Sequence, residues 1–208
     1  MSNDFNCPSC GAELKKEILY TKNIICEYCC SSIFLEDDSI KDLGKVAQLA
    51  EKPSILRLGQ YFEYRGWEFV PIGRVRYDYG CGWWEEWYVT NAVGETKWVS
   101  IDEGNIAIEE KDGSRKNSTF SCDDLSVGDS LDIIIEDESH TFTVTEIKRC
   151  KCIGAEGELP FVIIQNEEFN YIDLLSHKGE SATIEIFDDG TQDLFLGLWV
   201  DPFDIKEC

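Results

Sequence analysis

The sequence has very little histidine, the side chain that most often acts as an acid or base near neutral pH. Its two histidines, His140 and His177, both lie in segments that predict turns, where a surface position is more typical than a catalytic one. The HExxH, GxSxG and phosphate-loop patterns are also absent. The sequence therefore favours a protein without enzymatic activity, and an enzyme whose residues meet only in the fold stays an alternative.

Long apolar runs are missing as well. No segment approaches the roughly 18 apolar residues that a membrane-spanning helix needs. No basic flank followed by an apolar run marks the start of the chain, so the sequence predicts no signal peptide. We therefore expect a cytoplasmic protein, in which the ten cysteines serve as metal ligands or buried thiols rather than as disulfides.

Positive charge is scarce. The chain has 19 basic and 41 acidic residues, for a net charge of -22. Almost all of that excess lies after residue 36. So acidic a body repels phosphate backbones, which argues against nucleic-acid binding by the body. It attracts basic proteins, metal cations or polyamines, although solubility alone is the simpler explanation.

Cysteines are abundant at the N-terminus, in the pattern C-x2-C-x15-C-x2-C. This spacing predicts a zinc ribbon over residues 1–36, with Cys7, Cys10, Cys26 and Cys29 as ligands of one Zn²⁺. Two such pairs close a tetrahedron and leave no open position for a substrate, which indicates a structural metal. A redox pair is the alternative for the motif, and Cys30 is the alternative fourth ligand.

The segment after the cysteines predicts a helical linker over residues 37–53. Its apolar residues repeat at helical spacing, and Pro53 ends the pattern. This stripe packs on the body or binds a partner; it consists of Ile40, Leu43, Val46, Ala47 and Ala50.

The rest of the chain predicts a mainly β fold. Short aromatic and β-branched runs alternate with Gly, Asn and Asp turns. One constant offset aligns Phe69 with Phe142 and Trp98 with Tyr171. This offset predicts two related β lobes, at 54–112 and 120–206, within one barrel-like or sandwich-like domain over 54–206.

Several short motifs in this body occur in a specific order. They are Trp84-Glu85-Glu86-Trp87, the strand around Trp98, Gly157-Glu158-Leu159-Pro160, Tyr171-Ile172-Asp173-Leu174 and Leu196-Gly197-Leu198-Trp199. In this order they resemble the family of domain of unknown function 4178, whose members often carry a zinc ribbon in front. The resemblance implies a mainly bacterial family without an established activity, found beside genes for polyamine synthesis and membrane stress.

The run GWWEEWYV places two carboxylates in an aromatic cluster. A hairpin with the loop Tyr79–Gly82 pairs Glu85 with Arg76 and stacks Arg74 on Trp87. No basic residue of that hairpin faces Glu86, and a buried unpaired carboxylate is unfavourable. A lysine, arginine or backbone amide from elsewhere satisfies it, or a bound cation does. The candidate cation site consists of Glu86, Trp84, Tyr77, Tyr88 and, from the second lobe, Glu158.

Three functions follow from these observations. The first is a zinc-ribbon adaptor that binds another protein, one with a basic surface, as an accessory to a bacterial stress or membrane-associated system. The second is a receptor for a small cation such as a polyamine, and the third is an unrecognised enzyme. Cys81, Cys150 and Cys152 are either buried thiols or parts of a second metal site.

Overall fold

The computed structural model describes residues 5–16, 20–36, 39–46, 49, 53–113 and 119–208. Within them the chain is built almost entirely of antiparallel β-strands, which confirms the predicted mainly β class. Two three-residue 3-10 helices span Cys122–Asp124 and Pro202–Asp204. No helix in these ranges is both long enough and apolar enough to cross a bilayer.

The strands follow one another with short turns. In chain order they are β1 (Phe5–Asn6), β2 (Glu13–Leu14), β3 (Asn23–Ile25), β4 (Ser31–Glu36), β5 (Ser39–Lys45), β6 (Phe62–Tyr64), β7 (Trp67–Asp78), β8 (Trp83–Thr90), β9 (Thr96–Asp102), β10 (Asn105–Lys111), β11 (Ser130–Ile135), β12 (Glu138–Leu159), β13 (Glu168–Ser176), β14 (Glu180–Phe187), β15 (Gln192–Val200) and β16 (Ile205–Glu207).

Eight of these strands form a closed ring. Each neighbour pairs antiparallel in the order β7-β8-β9-β10-β15-β14-β13-β12, and the second half of β12 pairs with β7. A ring of eight strands encloses an interior just wide enough to be lined by side chains. The body is therefore a small β-barrel.

Side chains alternate between the interior and the outer surface of the barrel, since successive residues of a strand point to opposite faces. The interior cluster is rich in aromatic rings, including Trp84, Trp98 and Tyr171. Two further clusters lie outside the barrel wall. One contains Phe62 of β6, and the other contains Ile133 of β11. These outer clusters cover the apolar residues on the outside of the barrel.

The wall closes where β7 and β12 come unusually near. A Cβ on Gly73 would lie 1.9 Å from the carbonyl oxygen of Glu158, and one on Gly157 would lie 2.2 Å from that of Ile72. Gly157 also has a φ of 73°, a region that L side chains rarely adopt. Glycine at both positions is thus a condition of ring closure.

The cysteine-rich segment is joined to the barrel by a strand. Within it, β1 pairs with β2, while β3 pairs with both β4 and the end of β12. Glu158 stands opposite Ile24 in that register, and its carboxylate accepts a hydrogen bond from Thr21 Oγ1 at 2.5 Å.

The predicted linker helix is wrong over residues 39–45, which form β5 and pair with β4. Gly44 has a φ of 97°, and its N–H donates to Asp42 Oδ1 at 2.9 Å. The open edge of β4 offers this segment backbone hydrogen bonds along one side, and that gain overrides the helical spacing of its apolar residues. Residues 37–38, 47–48 and 50–52 of the predicted helix lie outside the described residues.

The predicted aromatic hairpin is confirmed in its register. Tyr77 stands opposite Trp84, and Asp78 stands opposite Trp83, on either side of the predicted loop. Arg76 Nη2 lies 2.6 Å from Glu85 Oε1 on the outer face of the barrel. There the Arg74 guanidinium also stacks 4.8 Å above the Trp87 ring and bonds both Glu85 and Glu156.

The repeat offset holds for the first hairpin of each predicted lobe. Phe69 and Phe142 both lie in the second strand of a hairpin, opposite Phe62 and Leu131 respectively. It does not hold further along, because Trp98 lies in β9 and Tyr171 lies in β13. These strands are the fourth and third of their runs, so the offset is no strand-for-strand correspondence. The domain boundaries stay a prediction.

Candidate functional site

The four predicted zinc ligands lie together. Their Sγ atoms all fall within 4.8 Å of one another, with Cys7 Sγ 3.7 Å from Cys29 Sγ and Cys10 Sγ 3.7 Å from Cys26 Sγ. A tetrahedral zinc with Zn–S bonds of about 2.3 Å requires S–S distances of about 3.8 Å. The cluster is therefore compatible with a metal ion of that geometry.

Each cysteine pair lies on the same kind of turn. The N–H of Gly11 donates to the Cys7 carbonyl at 2.8 Å, and the N–H of Cys30 donates to the Cys26 carbonyl at 2.8 Å. Gly11 and Cys30 have φ values of 78° and 59°, so Cys30 takes the turn position that a glycine fills after the first pair. The structure thus gives Cys30 a backbone role, and its thiol is not part of the cluster.

The barrel interior holds the second candidate site, which begins at Glu86. Glu86 stands opposite Val75 and Ser100, so it shares the inner face with Tyr77, Trp84 and Tyr88. Its Oε1 accepts a hydrogen bond from Trp84 Nε1 at 3.0 Å. Burial raises the pKa of Glu86 to about 7, although the indole hydrogen bond lowers it in part.

Two more glutamates lie in the same interior and are more fully buried than Glu86, which is partly exposed. Glu109 is 8% exposed and Glu185 is 7% exposed. Burial, with the negative charge of Glu86 as the second cause, raises the pKa of Glu109 to about 8. The same two causes raise the pKa of Glu185 well above its usual range. Glu185 makes no hydrogen bond within the described residues.

Asp173 is the fourth interior carboxylate. It stands opposite Thr183, whose hydroxyl donates to Asp173 Oδ1 at 2.9 Å, and opposite Glu146 on the other side. Its pKa is raised to about 7, chiefly by burial and in smaller part by the charges of Glu146 and Asp102. Across the described ranges, none of these four carboxylates forms an ion pair with a lysine, arginine or histidine. We call Glu86, Glu109, Asp173 and Glu185 the interior carboxylates.

Aromatic rings line the space around them. The Tyr77 and Trp84 ring centroids lie 4.9 Å apart, and Trp84 meets Tyr171 edge-on at 5.0 Å across the barrel. Tyr88 and Trp98 lie 4.8 Å apart. Ring faces carry partial negative charge, so they add to the attraction of the carboxylates for a cation.

One end of the interior carries a lysine. Lys148 Nζ lies 2.5 Å from Glu146 Oε1 and 4.5 Å from the centroid of the Tyr79 ring. The Tyr79 hydroxyl donates to Asp102 Oδ1 at 3.3 Å, and the Tyr171 hydroxyl donates to Glu146 Oε2 at 2.6 Å. We call this group the lysine end; it consists of Tyr79, Asp102, Glu146, Lys148 and Tyr171.

The structure brings together three of the residues predicted to accompany Glu86. Tyr77, Trp84 and Tyr88 lie on its face of the hairpin. The carboxylate of Glu158 accepts a hydrogen bond from Thr21 of the ribbon, and its charge acts on Tyr88, whose pKa is raised first by burial and in smaller part by Glu158. The ribbon strand β3 pairs with the end of β12 there, an interaction between distant segments that the sequence does not show.

Sequence reasoning missed three of the interior carboxylates. Glu109, Asp173 and Glu185 were each visible as an acidic residue inside or at the end of an apolar run, in IAIEE, YIDLL and ATIEIF. That signal resembles the one that identified Glu86. The sequence does not show the order of the strands in the ring, and that order places these three residues in the same interior as Glu86.

The remaining cysteines and histidines do not assemble into a further centre within the described residues. Cys150 and Cys152 are buried in the barrel interior, and burial raises the pKa of Cys152 to about 11. Cys81 is exposed in the hairpin loop. His140 lies 3.5 Å from Glu180, and His177 is exposed in a turn.

Comparison with known proteins gives one match. Residues 57–202 match the family model described as Domain of unknown function (DUF4178). No curated protein matches the chain, and no solved structure does. The matched range contains the whole barrel and all four interior carboxylates.

Proposed function

The chain belongs to the family described as Domain of unknown function (DUF4178), and from its own residues we propose that its barrel binds a small organic cation. The observation that carries this proposal is the group of four interior carboxylates that lack a basic partner in the described part of the chain. Charges buried this way are strongly unfavourable unless they are protonated or matched by a cation. A cation that enters the barrel supplies the missing positive charge.

The spacing of the acidic groups favours an organic cation over a metal ion. Within the described residues, only the four-cysteine group brings three or more ligand atoms close enough to hold one metal. The interior carboxylates are spread over four strands instead. Several ammonium groups on a flexible amine, such as a polyamine, match separated carboxylates, and the rings of Trp84, Trp98 and Tyr88 suit its charged and methylene parts.

Calorimetry tests this proposal with spermidine as the probe and Glu109→Gln as the variant. We expect saturable binding to the native protein and a loss of at least about tenfold in affinity in the variant, because a buried carboxylate partner is removed. Glu110→Gln is the matched control, since Glu110 is the next residue of β10, exposed and paired with Lys97. Equal affinity of both variants would reject the interior as the site, as would full competition by Mg²⁺.

We also propose that the four-cysteine cluster holds Zn²⁺ in a structural role. Four thiolates at tetrahedral distances suit zinc and leave no open position for catalysis. When bound, the ion would supply the stability that so small a segment lacks, because metal binding and folding are coupled in such ribbons.

Protein binding is the second candidate function. A groove of about 1050 Å³ lies between the ribbon and the barrel, and the exposed side chains of Tyr28, Leu58 and Tyr61 line it. With a net charge of -22 the chain suits a basic partner. Loss of a partner from both Tyr28→Ser and Tyr61→Ser, with retention by Tyr20→Ser on the exposed ribbon surface, would support this role.

A further inference from the structure

The lysine end of the barrel already shows how a primary ammonium is held. The ammonium of Lys148 contacts a carboxylate oxygen of Glu146 at 2.5 Å and lies 4.5 Å from the centre of the Tyr79 ring. A carboxylate together with an aromatic face is the usual protein site for an alkyl ammonium. Here the ammonium comes from the chain itself.

More negative charge surrounds this ammonium than one lysine neutralises. Asp173 stands opposite Glu146 in the sheet register, and Asp102 accepts the hydrogen bond from Tyr79. The pKa of both aspartates is raised chiefly by burial and lowered by the nearby Lys148 charge. Three carboxylates therefore lie near a single positive group at this end, and only Glu146 forms an ion pair with it.

A second observation points from the lysine end into the interior. Glu185 is 7% exposed, stands opposite Tyr171, and makes no hydrogen bond within the described residues. Tyr171 itself belongs to the lysine end through its bond to Glu146. On the inner face Glu185 is thus separated from Lys148 by Tyr171, and this buried carboxylate borders the lysine end without forming part of it.

We propose that the lysine end is a primary-ammonium subsite that Lys148 occupies as a tethered competitor, and that an ammonium group of the incoming ligand displaces it. This inference rests on the proposed function for the identity of the natural ligand, but the subsite itself does not. In the empty protein, Lys148 excludes small monovalent ions from the lysine end. A ligand with several ammonium groups displaces Lys148, because its other ammonium groups bind the interior carboxylates.

The side chain of Lys148 is free enough to leave. It is 35% exposed, so its ammonium can reach water without unfolding any strand. Lys41 provides the contrast, because it also pairs with a carboxylate, that of Glu36, at 3.3 Å, but is 59% exposed, lies on β5 outside the barrel and has no aromatic ring over it within the described residues. Lys41 is an ordinary exposed ion pair and serves as the control.

The test fills an emptied subsite with a free amine. We expect Lys148→Ala to bind n-butylammonium, which replaces the missing side chain, with a saturable rise in melting temperature. A tethered group competes at an effective concentration near the millimolar range, so the affinity of the native protein should be lower by about tenfold or more. Lys41→Ala should behave like the native protein.

Three results decide the matter. Saturable n-butylammonium binding by Lys148→Ala alone supports the subsite, even if spermidine binds none of the proteins and the proposed function fails. No saturable binding by folded Lys148→Ala, or equal binding by all three proteins, overturns it. If Lys148→Ala does not fold, Lys148→Thr, which suits a strand and also leaves the volume of the lysine stem empty, takes its place under the same criteria.

Discussion

At the scale of single residues, the central feature is Glu86. Burial raises its pKa, so its ionised form destabilises the empty protein. Strand alternation predicted the position of Glu86, because the loop Tyr79–Gly82 sets the register and the register sets the face. What satisfies Glu86 was not predictable: the indole N–H of Trp84 lies two residues away on the same strand face. Local pattern therefore identified the charge and not its partner.

Replacement of Glu86 separates structure from binding. We expect Glu86→Gln to abolish spermidine binding and yet stabilise the empty protein by about 1–2 kcal/mol above neutral pH, because a pKa change of one corresponds to about 1.4 kcal/mol. The glutamine oxygen still accepts the Trp84 hydrogen bond, so packing is preserved. Urea unfolding and calorimetry on the same sample check both effects. Marked destabilisation would show that a positive group pairs with Glu86.

Cys30 gives a sharper residue test of the metal centre. Since it fills a turn position with φ of 59°, we expect Cys30→Gly to keep about one metal equivalent and full ribbon structure. Cys29→Ser should lose the metal, because its Sγ belongs to the cluster. Elemental analysis of the two proteins checks this. Loss of metal from Cys30→Gly and its retention by Cys29→Ser would show that Cys30, and not Cys29, is the fourth ligand.

At the scale of elements, the chain departs from its local preferences at β5. Apolar residues at helical spacing predicted a helix, and the free edge of β4 determined a strand instead. Gly44 was the local warning, because it weakens a helix and here takes a φ of 97°. Edge pairing is a tertiary effect, and a single sequence does not reveal which edges are open.

The contact between β7 and β12 depends on Gly157. We expect Gly157→Ala to destabilise the barrel by about 3 kcal/mol or more, because the new Cβ meets the Ile72 carbonyl and the positive φ adds strain.

Gly190→Ala is the matched control for that prediction. Gly190 has a φ of 85°, but a Cβ there meets nothing within 4 Å, so strain alone of about 1–2 kcal/mol is expected. Urea midpoints of the two variants measure the difference. Equal losses would mean that the close approach of the two strands is not needed.

At the scale of the whole molecule, the interior carboxylates make stability depend on pH. Glu86, Glu109 and Asp173 have pKa values near 7, 8 and 7 in the fold, above their ordinary values of 4.5, 4.5 and 3.8. The folded state therefore binds more protons than the unfolded state between about pH 4.5 and pH 8, and stability must fall as pH rises through that window.

We expect the empty protein to lose about 2–4 kcal/mol of unfolding free energy between about pH 5.5 and pH 8.5. Unfolding by urea across this range measures the loss. The quadruple variant Glu86→Gln, Glu109→Gln, Asp173→Asn, Glu185→Gln should show little dependence, because burial also raises the pKa of Glu185. Spermidine should restore the stability of the native protein at the alkaline end. A flat profile in the native protein would mean that these carboxylates ionise freely.

The whole fold was only partly visible in the sequence. Aromatic and β-branched runs between turn residues predicted the β class, and the cysteine spacing predicted the cluster, since both signals are local. The ring was not predictable, because it depends on β7 pairing with β12, and four strands, β8 to β11, lie between them in the chain. The pairing of Glu158, which the repeat assigned to the cation site, with β3 of the ribbon was not predictable either.

The long strand β12 also sets an order of events during synthesis. The ribbon is synthesised before the barrel, and its four cysteines are all present before the barrel strands are. We therefore expect that it can bind metal before the barrel has formed. Its strand β3, however, has to wait for residues 157–159 before it docks, and β7 has to wait for residues 152–157. Pairings between distant segments form slowly. We therefore expect a nascent chain in which the ribbon has already bound metal while the acidic sheet is still open. The carboxylates of that sheet are hydrated, and they repel one another strongly only when the last strands close the ring.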